Sequence, residues 1–366
     1  MKILHINRNY IDTPLHQLMV ERLDSMGYSN AVFVPRRYKE DYSVEPNSNV
    51  IVCECFGRVD RFFFKLKQRK ILRALENNMS FDGVDLVHAY TLFTDGNCAR
   101  KIYKKHAIPY VVAVRNTDVN DFFRLMPHLR KLGVRIMMDA KAVFFLSESY
   151  RKQVFDKYVP EKYRAAIFKK TYIIPNGVND YWFENTPETK TSPTKEDVNL
   201  IYAGRIDKNK NIPATQRAVS LLKKEGYNAR LLVVGKVEDV REYKKIIKDE
   251  NTTVMPPVSM DALVGLYRNA HIFVMPSFTE SFGLVYVEAM SQRLPVIYSK
   301  GQGFDGQFEE GVVGYSVDSS SVESIYQGIV KVLENYDMIS SNGPSKALKF
   351  NWQEIAKEYD RIYRSI

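Results

Sequence analysis

Cysteine is scarce in this chain: three in 366 residues, at Cys53, Cys55 and Cys98. They form neither a C-x-x-C pair nor an even framework, which excludes a disulfide-stapled scaffold and points away from a zinc module. No run of 18 uninterrupted apolar residues occurs, so no membrane-spanning helix is expected. The opening KILHIN turns polar too soon for a signal peptide and reads as a buried first strand. Together these absences predict a reduced, cytoplasmic protein. No strand, the first or any other, is read as leading into a G-x-G-x-x-G, which weighs against a dinucleotide-binding dehydrogenase.

What is present is an ordinary globular composition, 45% hydrophobic and 26% charged, long enough for two domains with a core each. The net charge of +10 is uneven. Residues 1–185 hold 30 Lys+Arg against 20 Asp+Glu, whereas 186–366 hold 23 of each. Any polyanion is therefore met by the first half. No nucleic-acid recognition motif accompanies the charge, so nucleic acid is not an expected partner.

Short apolar runs recur with helical patterns between them. In the first half they are 3–6, 31–35, 50–56, 85–89, 110–114, 142–146 and 172–175. After a polar, proline-containing stretch at 185–197, read as a linker, they resume at 199–204, 230–235, 253–258, 271–275, 295–299 and 314–317. Strands alternating with helices predict βαβ units, parallel sheets and an α/β fold of two Rossmann-like domains facing across a cleft. The expected bounds are 1–185 for the first domain and 186–348 for the second, with 349–366 as a closing helix.

In such sheets ligands bind beyond the C-terminal strand ends, where strand order reverses. The residues following the strands are therefore the candidates. In the first half these are Arg8, His88 and the cluster Arg115, Asn116, Thr117, Asp118, which a helix N-cap would equally explain. In the second half GRIDKNKN supplies Gly204, Arg205 and Lys210. A forked guanidinium and a mobile ammonium suit a diphosphate. Downstream, HIFVMPSFTESFGLVYVEAMSQRLP (271–295) reads as strand, glycine-containing loop and helix, with Glu280 in the loop and Glu288 in the helix. That layout presents backbone N–H groups and a positive helix end to an anion.

Two stretches combine basic and aromatic residues. RVDRFFFKLKQRKILR (58–73) holds seven Lys/Arg and one Asp. Residues 151–170 hold seven more, interleaved with Phe155, Tyr158, Tyr163 and Phe168. Either could lie on an anionic membrane surface. The plain alternative is a solvated helix whose aromatic face packs on the sheet.

GRIDKNKN followed by PSFTESFGLVYVEAMSQRLPV resembles the donor half of the retaining glycosyltransferases of family 4, with the GT-B fold. FNWQEIAKEYDRIYRSI resembles the terminal helix that crosses back onto the first domain in that fold. The resemblance implies a nucleotide-sugar donor, most often a UDP-sugar, no metal and no other cofactor, and a saccharide or lipid-linked saccharide acceptor. It implies that Arg205 and Lys210 bind the pyrophosphate and that Glu280 holds donor-sugar hydroxyls. Gly204, Ser281 and the backbone of Phe282, Gly283 and Leu284 would line the donor, Glu288 would accept from the ribose, and Val258 would lie near the base. Arg205, Lys210 and Glu280 are the residues expected to be catalytic. No Asp-x-Asp metal motif of the other glycosyltransferase fold is present.

The acceptor half departs from the pattern. The loop NRNYIDTPLHQ lacks the usual glycine pair, and Arg115 stands where a His-Gly-Thr-like turn is usual. Either Arg115 contacts the acceptor or the donor phosphate there, or a histidine from elsewhere, His128 or His88, fills the role. Open beside transfer are a sugar-nucleotide hydrolase or epimerase on the same fold, and a non-catalytic scaffold binding polysaccharide or anionic lipid.

Overall fold

The computed structural model describes residues 1–12, 15–40 and 49–366. Two compact units result, one of residues 1–177 with 352–366, the other of 178–351. The polar stretch 185–197 is therefore not the boundary. It is strapped to the second unit, where Lys190 Nζ donates to the carbonyls of Tyr267 and Arg268 at 2.7 and 3.0 Å. Just before it, the buried Trp182 keeps the segment in the same unit, its carbonyl accepting from Gln292 Nε2 at 3.0 Å.

The first unit holds β1 (Lys2–Ile6), β2 (Ser29–Arg37), β3 (Val50–Phe56), β4 (Leu86–Ala89), β5 (Tyr110–Val114), β6 (Ala142–Phe145) and β7 (Thr171–Ile173). They form one parallel sheet in the order β3-β2-β1-β4-β5-β6-β7. The second holds β8 (Val198–Ala203), β9 (Ala229–Val234), β10 (Thr252–Met255), β11 (Ile272–Met275), β12 (Val296–Ser299) and β13 (Gly314–Val317). Their order is β10-β9-β8-β11-β12-β13, again parallel. Each predicted apolar run became a strand. β4, β5, β6, β11 and β12 are buried at every residue, as expected of parallel strands covered on both faces.

The alternation of side chains splits the first unit's core into two layers. Leu4, Ile6, Val112 and Val114 face one layer, with Ile71 and Leu75 of helix Phe64–Asn78. Ile3, Val111 and Ala113 face the other, with Met19 and Leu23 of helix Leu15–Ser25. The C-terminal helix Trp352–Tyr363 completes this second layer through Trp352, Ile355, Tyr359, Ile362 and Tyr363. Its polar edge is tied down as well, since the Tyr28 hydroxyl donates to Asp360 at 2.6 Å. The last helix is thus core of the first unit although it follows the second in sequence.

Both sheets reverse strand order at one place, between β1 and β4 and between β8 and β11. Residues leaving these strands flank a crevice by topology alone.

Candidate functional site: the ends of β8 and β11

β8 ends at Ala203, and the chain turns at Gly204 into Arg205. Gly204 and Gly235 pass so closely that a Cβ on Gly235 would lie 1.6 Å from the Gly204 carbonyl oxygen. Only glycine lets these two strand ends converge. Arg205 projects outward, two-thirds exposed, with Asp207 as its ion-pair neighbour at 4.0 Å. Its guanidinium is free to swing onto an anion. Asp207 then caps the turn Lys208–Lys210 by accepting from the Lys210 N–H at 3.2 Å.

This turn is knitted to the loop after β11. Asn209 donates to the Thr279 carbonyl at 2.8 Å and accepts from the Thr279 N–H at 3.0 Å. The pairing brings Lys210 Nζ to 2.6 Å from Glu280 Oε2, with both side chains about one-tenth exposed, at 11% and 12%. Glu280 is held from three sides: its Oε1 accepts from the Ser281 N–H at 3.0 Å, its own N–H donates to Gln302 at 3.0 Å, and its carbonyl accepts from Gly303 at 3.1 Å. A low-dielectric, hydrogen-bonded carboxylate of this kind is preorganised to receive hydroxyls.

Gln302 and Gly303 belong to GQGFDG (301–306), a supporting loop that sequence reasoning missed. It spells G-x-G-x-x-G directly after β12, which corrects the reading that no strand leads into this motif; turns rather than a helix follow it, so it is no dinucleotide fingerprint. Its three glycines were the available signal.

Beyond Glu280, Phe282 is buried at 1%, its ring packed near those of Phe304 and Phe350. It therefore offers only its backbone. Gly283 has φ +80°, and a Cβ there would come within 2.4 Å of the Tyr286 ring. It caps helix Leu284–Ser291, whose first-turn N–H groups have no intrahelical partner. One turn on, Glu288 is half-buried; its backbone carbonyl accepts from the Ser291 hydroxyl at 2.7 Å, whereas its carboxylate has no hydrogen-bond or ion-pair partner among the described residues. Burial pushes its carboxyl up to about 7. Val258 lies in the loop after the edge strand β10, partly exposed.

In the first unit the same topological point gathers a different set. Arg115 follows β5 and is fixed by Asn176 Oδ1 at 2.9 Å and the Tyr90 carbonyl at 3.3 Å. Asp118 is wholly buried and accepts from the N–H groups of Leu92, Phe93 and Arg115. Burial pushes it up to about 6 against those hydrogen bonds. Its work is to shape the Arg115 loop. Asn116 is partly exposed beside Asn120. Arg8, at the end of β1, pairs with Glu40 at 3.1 Å.

Neither expected histidine stands at this point. His88 is wholly buried within β4, 2.7 Å from the Tyr363 hydroxyl. Strand alternation turns it into the layer closed by the last helix. His128 lies exposed on the turn Pro127–Leu129, away from the strand end.

His16 does stand there. It is half-buried at the start of helix Leu15–Ser25, its ring 4.7 Å from that of Tyr90. Asn7 fixes its tautomer. The Asn7 Oδ1 accepts from the Asn9 N–H at 3.0 Å, so Nδ2 turns to His16 Nδ1 at 2.9 Å. Nδ1 therefore accepts, and the neutral ring carries its proton on Nε2. Burial, then the Arg115 charge, hold the imidazole well below its usual pKa. His16 is thus a neutral donor beside Arg115. It went unread because it sits in the loop NRNYIDTPLHQ, judged only for its missing glycines; Thr13 and Pro14 of that loop lie outside the described residues.

Two parallel sheets with this strand order, and a cation–carboxylate pair at the second switch point, are the features of GT-B glycosyltransferases. The chain belongs to the family 4, group 1 glycosyltransferases: the family "Glycosyltransferase Family 4" matches residues 17–181 and "Glycosyl transferases group 1" matches 184–346. It is 26% identical over 292 residues to a probable sucrose-phosphate synthase of Thermosipho melanesiensis, covering 74% of this chain and 68% of that one. It is 24% identical to the alpha-monoglucosyldiacylglycerol synthase of Acholeplasma laidlawii, covering 94% and 90%. An Anabaena protein solved in complex with UDP superposes over the whole of both chains, with TM-score 0.72 and 16% identity.

Proposed function

We propose that this glycosyltransferase takes its sugar from a UDP-sugar and transfers it, with retention and without a metal, to a hydroxyl of a polysaccharide or glycolipid at the inner face of the cell membrane. The observation that carries the reading is the Lys210–Glu280 pair, built at a topological switch point with the exposed Arg205 beside it. The cations would take the diphosphate and stabilise the charge that develops as the glycosidic bond to phosphate breaks. Glu280 would hold hydroxyls of the sugar, and the free carboxylate of Glu288 would accept from the ribose.

In the retaining reaction the acceptor oxygen bonds to the anomeric carbon from the face the phosphate leaves. The acceptor proton passes to the departing phosphate oxygen. On the acceptor side, Arg115 and the Nε2–H of His16 would bind oxygens of the acceptor. UDP is the first base to test because it is the ligand of the Anabaena protein.

The direct test is a panel of UDP-, GDP- and ADP-sugars, with nucleoside diphosphate release followed in the presence and absence of a chelator. Release from one donor, unaffected by chelation and raised by acceptor, supports the reading. Free sugar without acceptor would point to hydrolysis instead. No release from any donor at millimolar concentration, with unchanged biological activity of Glu280→Ala, would leave a scaffold.

A further inference from the structure

The two basic, aromatic stretches have opposite fates. In 151–170 the aromatic side chains mostly turn inward: Phe155 is buried, the Tyr158 ring stacks on Phe123 at 5.0 Å, and Tyr163 packs on the core. In 58–73 Phe64 packs on the core, its ring 5.9 Å from that of Phe122, but the two Phe residues before it turn outward. Phe62 is 75% exposed, Phe63 57%, Val59 67% and Leu66 44%. The turn Val59–Phe62 and the start of helix Phe64–Asn78 thus put four large apolar side chains into water together. Clustered apolar exposure of this sort marks an interaction surface.

Among the described residues of 58–73 the exposed charges have one sign. Arg58, Lys65, Arg69 and Arg73 are all exposed. On the helix Leu66, Arg69 and Arg73 recur at intervals of three and four, opposite the buried Gln68, Ile71 and Leu75. The only acid between residues 55 and 75 is Asp60. It is buried, accepting from the Gly57 N–H at 2.6 Å and pairing with Lys70 at 2.8 Å. That pairing holds the turn and takes this stretch's own acid out of the face.

We infer that the face formed by Val59, Phe62, Phe63 and Leu66, rimmed by Arg58, Lys65, Arg69 and Arg73, is a docking surface for an anionic lipid bilayer. A bilayer fits both halves of the face: its interface takes the aromatic rings, and its anionic headgroups take the rim. The inference does not depend on sugar transfer. Docking would hold the first unit at the surface where a lipid-linked acceptor resides.

The test is co-sedimentation of the full chain with vesicles of phosphatidylglycerol and phosphatidylcholine, and with phosphatidylcholine alone. Binding should require the anionic lipid and weaken as salt rises. Phe62→Ser/Phe63→Ser and Arg69→Glu/Arg73→Glu should each reduce it about tenfold or more, since each basic residue near such a surface is worth roughly fivefold. All four positions are exposed, so folding should persist by circular dichroism, and UDP affinity should stay unchanged. Equal binding to both vesicle types, or none to either, would overturn the inference. So would a chain that sediments as a dimer and becomes a monomer on Phe62→Ser/Phe63→Ser without change in lipid binding, since the face would then belong to a second copy.

Discussion

Lys210 and Glu280 are 70 residues apart in sequence and 2.6 Å apart in space, each side chain about nine-tenths shielded from solvent. The contact exists because Asn209 hydrogen-bonds to both polar groups of the Thr279 backbone. Removing either partner leaves the other charge buried and unpaired, which costs about 3–5 kcal/mol. Lys210→Ala and Glu280→Ala should therefore lower the unfolding midpoint and abolish transfer. Lys210→Met with Glu280→Leu should regain much of the stability and none of the activity. Urea unfolding and diphosphate release on the same three variants separate structure from catalysis.

Glu288 predicts a pH dependence of opposite sign for stability and for binding. Its folded-state carboxyl is raised to about 7 from an ordinary 4.5. The folded chain then holds this proton more tightly than the unfolded chain. Stability from this group is greatest below pH 4.5 and declines as pH rises to about 7, by on the order of 3 kcal/mol. Binding runs the other way, because ribose hydroxyls donate to the ionised form. UDP affinity should fall as pH drops through about 7. Glu288→Gln should be more stable than the parent at pH 8, bind UDP more weakly there, and lose the pH dependence; calorimetry at pH 6 and 8 reads all three.

Gly283→Ala should damage the donor site from the backbone. With φ +80° and the Tyr286 ring 2.4 Å from a built Cβ, the helix start must shift. The strain and displacement together should cost about 1–3 kcal/mol of stability and weaken UDP binding at least tenfold, read by thermal shift and titration.

His16→Phe should spare the donor and hurt the acceptor. It keeps an aromatic ring near Tyr90 and removes the Nε2–H. Transfer should fall about tenfold to a hundredfold through kcat and acceptor KM, with UDP affinity unchanged. His128→Ala, on an exposed turn, should leave both at parental values. Equal effects of the two variants would remove His16 from the acceptor site.

The fold was legible almost strand by strand. A parallel strand covered on both faces must be apolar throughout, so runs such as YVVAV and HIFVM mark themselves. The strand, glycine loop and helix start at β11 were legible too, because they are local and each residue's place follows from its neighbours. The linker was misplaced because 185–197 is polar in sequence yet bound to the second unit through Lys190, whose long stem reaches carbonyls nearly eighty residues away.

The surroundings of Arg115 were less legible. His88 and Arg115 both lie at or near strand ends, but alternation along β4 sends His88 inward to Tyr363, a residue at the far end of the chain. His16 gained its place from Asn7, which selects its tautomer. Phe62 and Phe63 read equally well as core or surface until the turn around Asp60 sent them outward.

By itself, then, the amino-acid sequence determined the periodic and local features: two series of buried parallel strands, the glycines that let backbone meet backbone, and the charge types in the loops after β8 and β11. Only the tertiary structure decided which side chains meet, namely Lys210 with Glu280, His16 with Asn7, and Tyr363 with His88. The reason is physical. Hydrophobic periodicity is written within a few residues, whereas a buried polar contact depends on a partner supplied from a distant part of the chain.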